Sequence, residues 1–223
     1  MFGMGEREDD RDDARRAPRP RWLTLLAVLL LLVGGRLFIT SVSDLHRVAS
    51  GKPEVLDLDG SLDAQQEALL RGQVVLGNAL SRHRPVSLAL NAIARLGLGL
   101  LYLFAVAAIF SGDARGRRVG VLVGWAGVVV SVGHALFLVG VVRPMLPWLA
   151  PMLGDALARD AVRAGRAGFD PRLATAQASF FLLQVPLAVT GMAVVWSLAL
   201  IAYFRGRRVR LFYNGRRRQA DHD

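Results

Sequence analysis

Five polar side chains able to do chemistry stand inside long apolar runs of this chain: Arg36, Asn91, Arg95, His134 and Gln184. Two of them, Arg36 and Arg95, are the only formal charges in those runs, in a chain that carries 28 Lys+Arg and 18 Asp+Glu. Two guanidiniums with His, Asn and Gln, and no carboxylate among them, form a donor-rich set suited to an anion such as a phosphate, a carboxylate or a lipid headgroup. The missing carboxylate argues against a cation-selective ring and against an Asp/Glu proton relay. Asn91 and Arg95 are separated by four residues and so share a helix face. A charge at membrane depth is costly and normally faces protein or water, which makes these five a candidate ligand-binding set. The competing structural explanation has Arg36 and Arg95 snorkelling to an interface. Asn91, His134 and Gln184 then act as interhelical bridges worth about 0.6 kcal/mol apiece.

The elements that must position this set are four apolar runs of spanning length, at 22–41, 87–110, 119–142 and 180–204. About 20 helical residues at 1.5 Å each cross a hydrocarbon core of roughly 30 Å. Backbone groups in hydrocarbon must be paired within the segment, and the strict alternation of a barrel strand is absent, so helices are expected. At that rise per residue the five polar groups fall roughly 6–12 Å below the same boundary. All four runs contribute to that layer. Gly120 and Gly124, followed by Gly127, Ser131 and Gly140, give the third run a small-residue face that lets backbones approach closely, predicting a central helix or a homomeric contact.

Lys and Arg are distributed unevenly between the connecting segments. Residues 1–21, 111–118 and 205–223 hold 16 basic residues in 48 positions, against 10 in 82 for segments 42–86 and 143–179. The positive-inside rule therefore puts both termini and the short 111–118 connection in the cytoplasm. Segments 42–86 and 143–179 then lie outside. Arg205, Arg207, Arg208, Arg210 and Arg216 to Arg218 follow the fourth run directly, where anionic lipid attracts each by roughly 1 kcal/mol. Residues 1–21, mixed in charge and holding Pro18 and Pro20, read as a disordered tether. A cleaved signal peptide over the first run fits less well, because the n-region is acidic and no A-x-A site follows Gly35.

Each outer segment contains an amphipathic stretch. In the first, at about 61–80, Leu62, Leu69, Leu76 and Leu80 fall on one stripe, and Asp59 or Ser61 is placed to cap it. The second covers roughly 152–165 and follows Pro144, Pro147 and Pro151, which prevent the third run from continuing as a regular helix. Both are expected as interfacial helices, with Trp148 and Tyr203 as interfacial anchors.

Several functions are excluded or disfavoured. Zero Cys removes disulfides, thiol nucleophiles and Cys-ligated metals. His134 has no second histidine within a run to complete a haem or metal site, so neither metal nor cofactor is expected. No G-x-S-x-G, H-E-x-x-H or P-loop motif occurs, and Gly97 and Gly99 follow no strand, so no catalytic residues are assigned. The excess of ten positive charges is spread over loops and a tail and is not a nucleic-acid surface.

The expectation is an all-α integral membrane protein, a four-transmembrane-helix bundle over 22–204 with amphipathic interfacial helices in the two extracytoplasmic segments. A basic cytoplasmic tail follows at 205–223. The ratio of 27 Arg to one Lys suggests a GC-rich genome and hence a bacterial inner membrane. The function expected is that of a non-enzymatic accessory or assembly component whose outward-facing polar pocket takes a lipid headgroup or a partner. The alternative is a small transporter or channel for an anionic solute, entered past Arg36 and Arg95. Expected partners are the bilayer, anionic lipids at the cytoplasmic face, and a second copy or another membrane-complex subunit.

Overall fold

The computed structural model describes residues 21–52, 64–111, 115–163 and 171–220. The N-terminal tether and the cap at Asp59 or Ser61 lie outside them. All elements among the described residues are helical: α1 (Arg21–Ser50), α2 (Ala64–His83), α3 (Pro85–Ser111), α4 (Gly116–Phe137), α5 (Leu146–Arg163), α6 (Pro171–Ser179), α7 (Val185–Arg205) and α8 (Arg207–Ala220). Four stretches are long and apolar enough to cross a membrane: Trp22–Ser50, Pro85–Ser111, Gly116–Asp155 and Thr175–Arg205.

All four exceed the runs expected from composition, the second by only a few residues and the other three for physical reasons that differ. Helix α1 passes residue 41 and continues to Ser50, because no breaker intervenes before Gly51. Gly51 takes φ +62° and donates its N–H to the Arg47 carbonyl at 3.2 Å, a left-handed stop that glycine adopts without a Cβ penalty. The third and fourth stretches are lengthened by wide turns. Leu138–Val142 and Phe180–Gln184 are π-helical, and each is followed by one residue and then a proline, Pro144 or Pro186. Proline has no N–H to offer and its ring clashes with the carbonyl four residues back. One extra residue in the turn moves that carbonyl aside and lets the helix continue. Arg143 N–H accordingly reaches back five residues to the Leu138 carbonyl, and Val185 N–H to that of Phe180. A short 3-10 turn, Arg143–Met145, then leads into α5, which carries Pro151 inside it. The regular α-helical pattern is thus interrupted around Pro144, as expected, whereas Pro147 and Pro151 lie within α5 and the helical run continues.

The chain divides into two compact units. The first comprises Met1–Ile39, Arg95–Val130 and Ala193–Asp223. Its core joins a stripe from α1 (Leu23, Ala27, Leu30) to one from α3 (Leu98, Tyr102, Ala105, Ile109), with Val123 of α4 and Leu200 and Phe204 of α7. Glycines set the helix spacing here. A Cβ on Gly34 would lie 3.1 Å from the Gly99 carbonyl oxygen, and one on Gly99 the same distance from that of Gly34, so α1 and α3 meet backbone to backbone. Along α4, Gly116 faces the Tyr213 ring, Gly120 the Phe204 ring, Gly124 Ile201, and Gly127 the Ser197 side chain. The Tyr102 hydroxyl hydrogen-bonds Ser197, whose own hydroxyl donates to the Ala193 carbonyl at 2.8 Å. The basic segment after the fourth run is itself a helix, α8. Its Val209, Phe212 and Tyr213 are buried in this core while Arg207, Arg208 and Arg210 are exposed.

The second unit comprises Thr40–Ala94 and Ser131–Met192. The amphipathic stretch expected at 61–80 is observed as α2, and its Leu80 is buried with Leu76 packed beside it. Helix α5 begins at Leu146, ahead of the 152–165 stretch expected, and lies against α6. They touch where a Cβ on Gly154 would sit 2.9 Å from the Thr175 backbone nitrogen. Leu138, Val142, Leu149, Leu153 and Leu182 are buried in one cluster with Leu80 of α2.

Candidate functional site

Of the five candidate residues, Arg36 and Arg95 belong to the first unit, and Asn91, His134 and Gln184 to the second. Arg36 and Gln184 are exposed; Arg95, Asn91 and His134 are half-buried. The structure brings together Asn91 and His134, whose Oδ1 and Nδ1 are 3.0 Å apart. With Nδ1–H donating to the amide oxygen, α3 and α4 are tied in this unit. The His134 ring also stacks on Phe137 one turn later, with centroids 6.0 Å apart and planes 17° apart. Gln184 closes the second π-helical turn, which touches the first. Turns of this kind are frequent at functional sites because their hydrogen-bond register is easily altered.

A charge that composition assigned to the loop outside the first run lies buried instead. Arg47 is only 8% exposed and pairs with Asp44 one turn earlier at 3.0 Å. Its guanidinium lies directly against Gly77 of α2, where any side chain would collide with it. The signal in the sequence was the Asp-x-x-Arg spacing at 44 and 47 together with a glycine in the α2 pattern.

An open groove in the second unit has a volume of about 480 Å³. His83 and Arg84 supply its polar wall, at the junction of α2 and α3, where the Arg84 N–H bonds the Leu80 carbonyl at 2.7 Å and Pro85 opens the next helix. Trp148 and Pro144, with Gly140 and Val141 of the first π-helical turn, complete its lining. The Trp148 ring meets the His83 imidazole edge to face, centroids 5.3 Å apart at 78°. An imidazole, a guanidinium and an indole N–H on an apolar floor can hold a phosphate or carboxylate attached to an apolar body. Among the described residues no carboxylate lines the groove. Of His83, Arg84 and Trp148, the sequence marks Trp148 alone, as an interfacial anchor. Their convergence depends on the wide turn that rotates residues after 142.

Among the described residues, no three His, Cys, Asp or Glu side chains gather as metal ligands. Comparison with known protein families, with curated protein sequences and with solved structures finds no match to this chain.

Proposed function

We propose that this chain is a non-enzymatic, four-span membrane protein that holds a phosphate-bearing lipid headgroup on the outer side of a bacterial inner membrane, as an accessory or assembly component. The groove formed by His83, Arg84 and Trp148 carries this reading. It joins two basic donors to an aromatic wall, on the segments that the distribution of arginine puts outside. Aromatic and basic side chains at the end of a span sit at the level of lipid phosphate. The Asn91–His134 bridge holds α3 and α4 together beneath it in the same unit.

Trp148 offers a direct readout, since the chain has only four tryptophans. In a Trp22→Phe/Trp125→Phe/Trp196→Phe background, titration with a short-chain anionic phospholipid is expected to change Trp148 emission saturably. His83→Gln with Arg84→Gln removes that response. No saturable change, or an unaltered one in the double variant, retires the headgroup site.

A further inference from the structure

A second basic groove lies in the first unit, apart from His83, Arg84 and Trp148. Arg117 and Arg118, in the first turn of α4, and Arg205, the last residue of α7, line a groove of about 290 Å³ floored by Val121. Three arginines border this space, mainly through their aliphatic stems, and among the described residues no carboxylate is in the lining. Ordinarily such a cluster would disperse into solvent to relieve its own repulsion. Of the three, Arg117 is held in place. The Arg117 Nε donates to the Phe204 carbonyl at 3.2 Å, occupying one of the carbonyls that α7 leaves open at its end. This fixes the plane of its guanidinium and leaves its two terminal nitrogens to point elsewhere. The backbone beneath is equally constrained, because Gly116 packs on the Tyr213 ring and Gly120 on that of Phe204. Helix α4 also begins here, so its unpaired N–H groups add positive potential on the same side as the arginines.

We infer that Arg117, Arg118 and Arg205 hold the phosphodiester of an anionic phospholipid in the cytoplasmic leaflet, using the end of the third and fourth spans as a fixed seat. A phosphodiester offers two anionic oxygens, the geometry a guanidinium fork binds bidentately. Val121 provides the apolar floor that the start of an acyl chain requires, which a free inorganic anion does not. The inference adds a site to the proposed function and does not rest on the outer groove.

Native mass spectrometry of the full chain, released from vesicles of equal phosphatidylglycerol and phosphatidylcholine, tests it. The wild type is expected to retain phosphatidylglycerol preferentially. Arg118→Gln with Arg205→Gln, both exposed and neither hydrogen-bonded to the Phe204 carbonyl, lowers that retention by more than about tenfold, since each charge-assisted contact is worth roughly that factor. Arg118→Gln alone gives a smaller loss, and His83→Gln with Arg84→Gln leaves this component intact, which separates the two grooves. Equal retention of both lipids by the wild type, or undiminished phosphatidylglycerol on the double variant, overturns the proposal. Displacement of the lipid by inorganic phosphate assigns the groove to a free anion and overturns the lipid assignment.

Discussion

His134 and Asn91 show how a polar pair acts within an apolar helix pair. In the second unit the imidazole has apolar neighbours along its own helix and the Asn91 amide oxygen at 3.0 Å from Nδ1. Breaking that bond in hydrocarbon offers no water in exchange, yet measured interhelical bonds in membranes average only about 0.6 kcal/mol and reach about 1.7. A double-mutant cycle of Asn91→Leu and His134→Leu, followed by reversible unfolding in mixed micelles, should therefore give a coupling within that range. Coupling indistinguishable from zero would show that the two residues do not act as a pair. As candidates, both were legible in the sequence, because a polar residue in an apolar run stands out by composition alone. Their pairing was not, since contact between residues 43 apart depends on helix rotation. Arg47 was hidden for the opposite reason. Surrounded by polar neighbours in sequence, it looked solvated, and only the continuation of α1 to Ser50 and the gap at Gly77 bury it.

Helix spacing in the first unit is decided by which glycines face a neighbour. Gly34 and Gly99 stand backbone to backbone, whereas Gly35 and Gly97 have no atom within 4 Å of a Cβ built on them. Gly34→Ala puts that carbon 2.9 Å from the Tyr102 Cβ, an atom tied to the α3 backbone that cannot swing aside. Overpacking of this kind costs about 1–3 kcal/mol. Thermal unfolding in detergent should therefore show Gly34→Ala and Gly99→Ala clearly destabilised, with Gly35→Ala and Gly97→Ala near the wild type. Equal effects at all four positions would remove the close crossing. The four apolar runs were readable because length and hydropathy alone identify a helix that can span. The small-residue pattern at 120, 124 and 127 was readable as a close-packing face, while its neighbours Phe204, Ile201 and Ser197 were not. The π-helical turns escaped for a different reason. Prolines at 144 and 186 announce a disturbance, but whether a helix ends, kinks or widens depends on what packs around it. Here Leu138, Val142, Leu182 and Leu183, all buried in one cluster, favour continuing the helix over exposing its end. The apolar stripe of α8 was overlooked because seven arginines dominate the composition of residues 205–223.

For the whole molecule, both proposed sites depend on which way the chain is threaded. The argument for orientation is electrostatic: basic residues near span ends resist transfer across the membrane, and their density is highest in the tails and the 111–118 connection. If that argument is right, Ser50 and Ser111 lie on opposite sides of the bilayer, since each ends a helix long enough to cross it. Both are exposed, and the chain has no cysteine of its own, so one thiol at a time can be introduced without background. In intact cells, a membrane-impermeant maleimide should label Ser50→Cys at once and Ser111→Cys only after permeabilisation. The reverse pattern would invert the topology. The His83–Arg84–Trp148 groove would then face the cytoplasm and Arg117, Arg118 and Arg205 the exterior, where the surface potential that favours cation contact with anionic lipid is weaker. Labelling of both thiols in intact cells would leave no intervening span between residues 50 and 111, and α3, the most apolar candidate for that role, would have to lie outside the hydrocarbon with its Leu90, Ile93, Leu100 and Phe104 exposed. A face that large and that apolar is stable only in lipid or against another protein, so the two-sided result is the one physical chemistry expects.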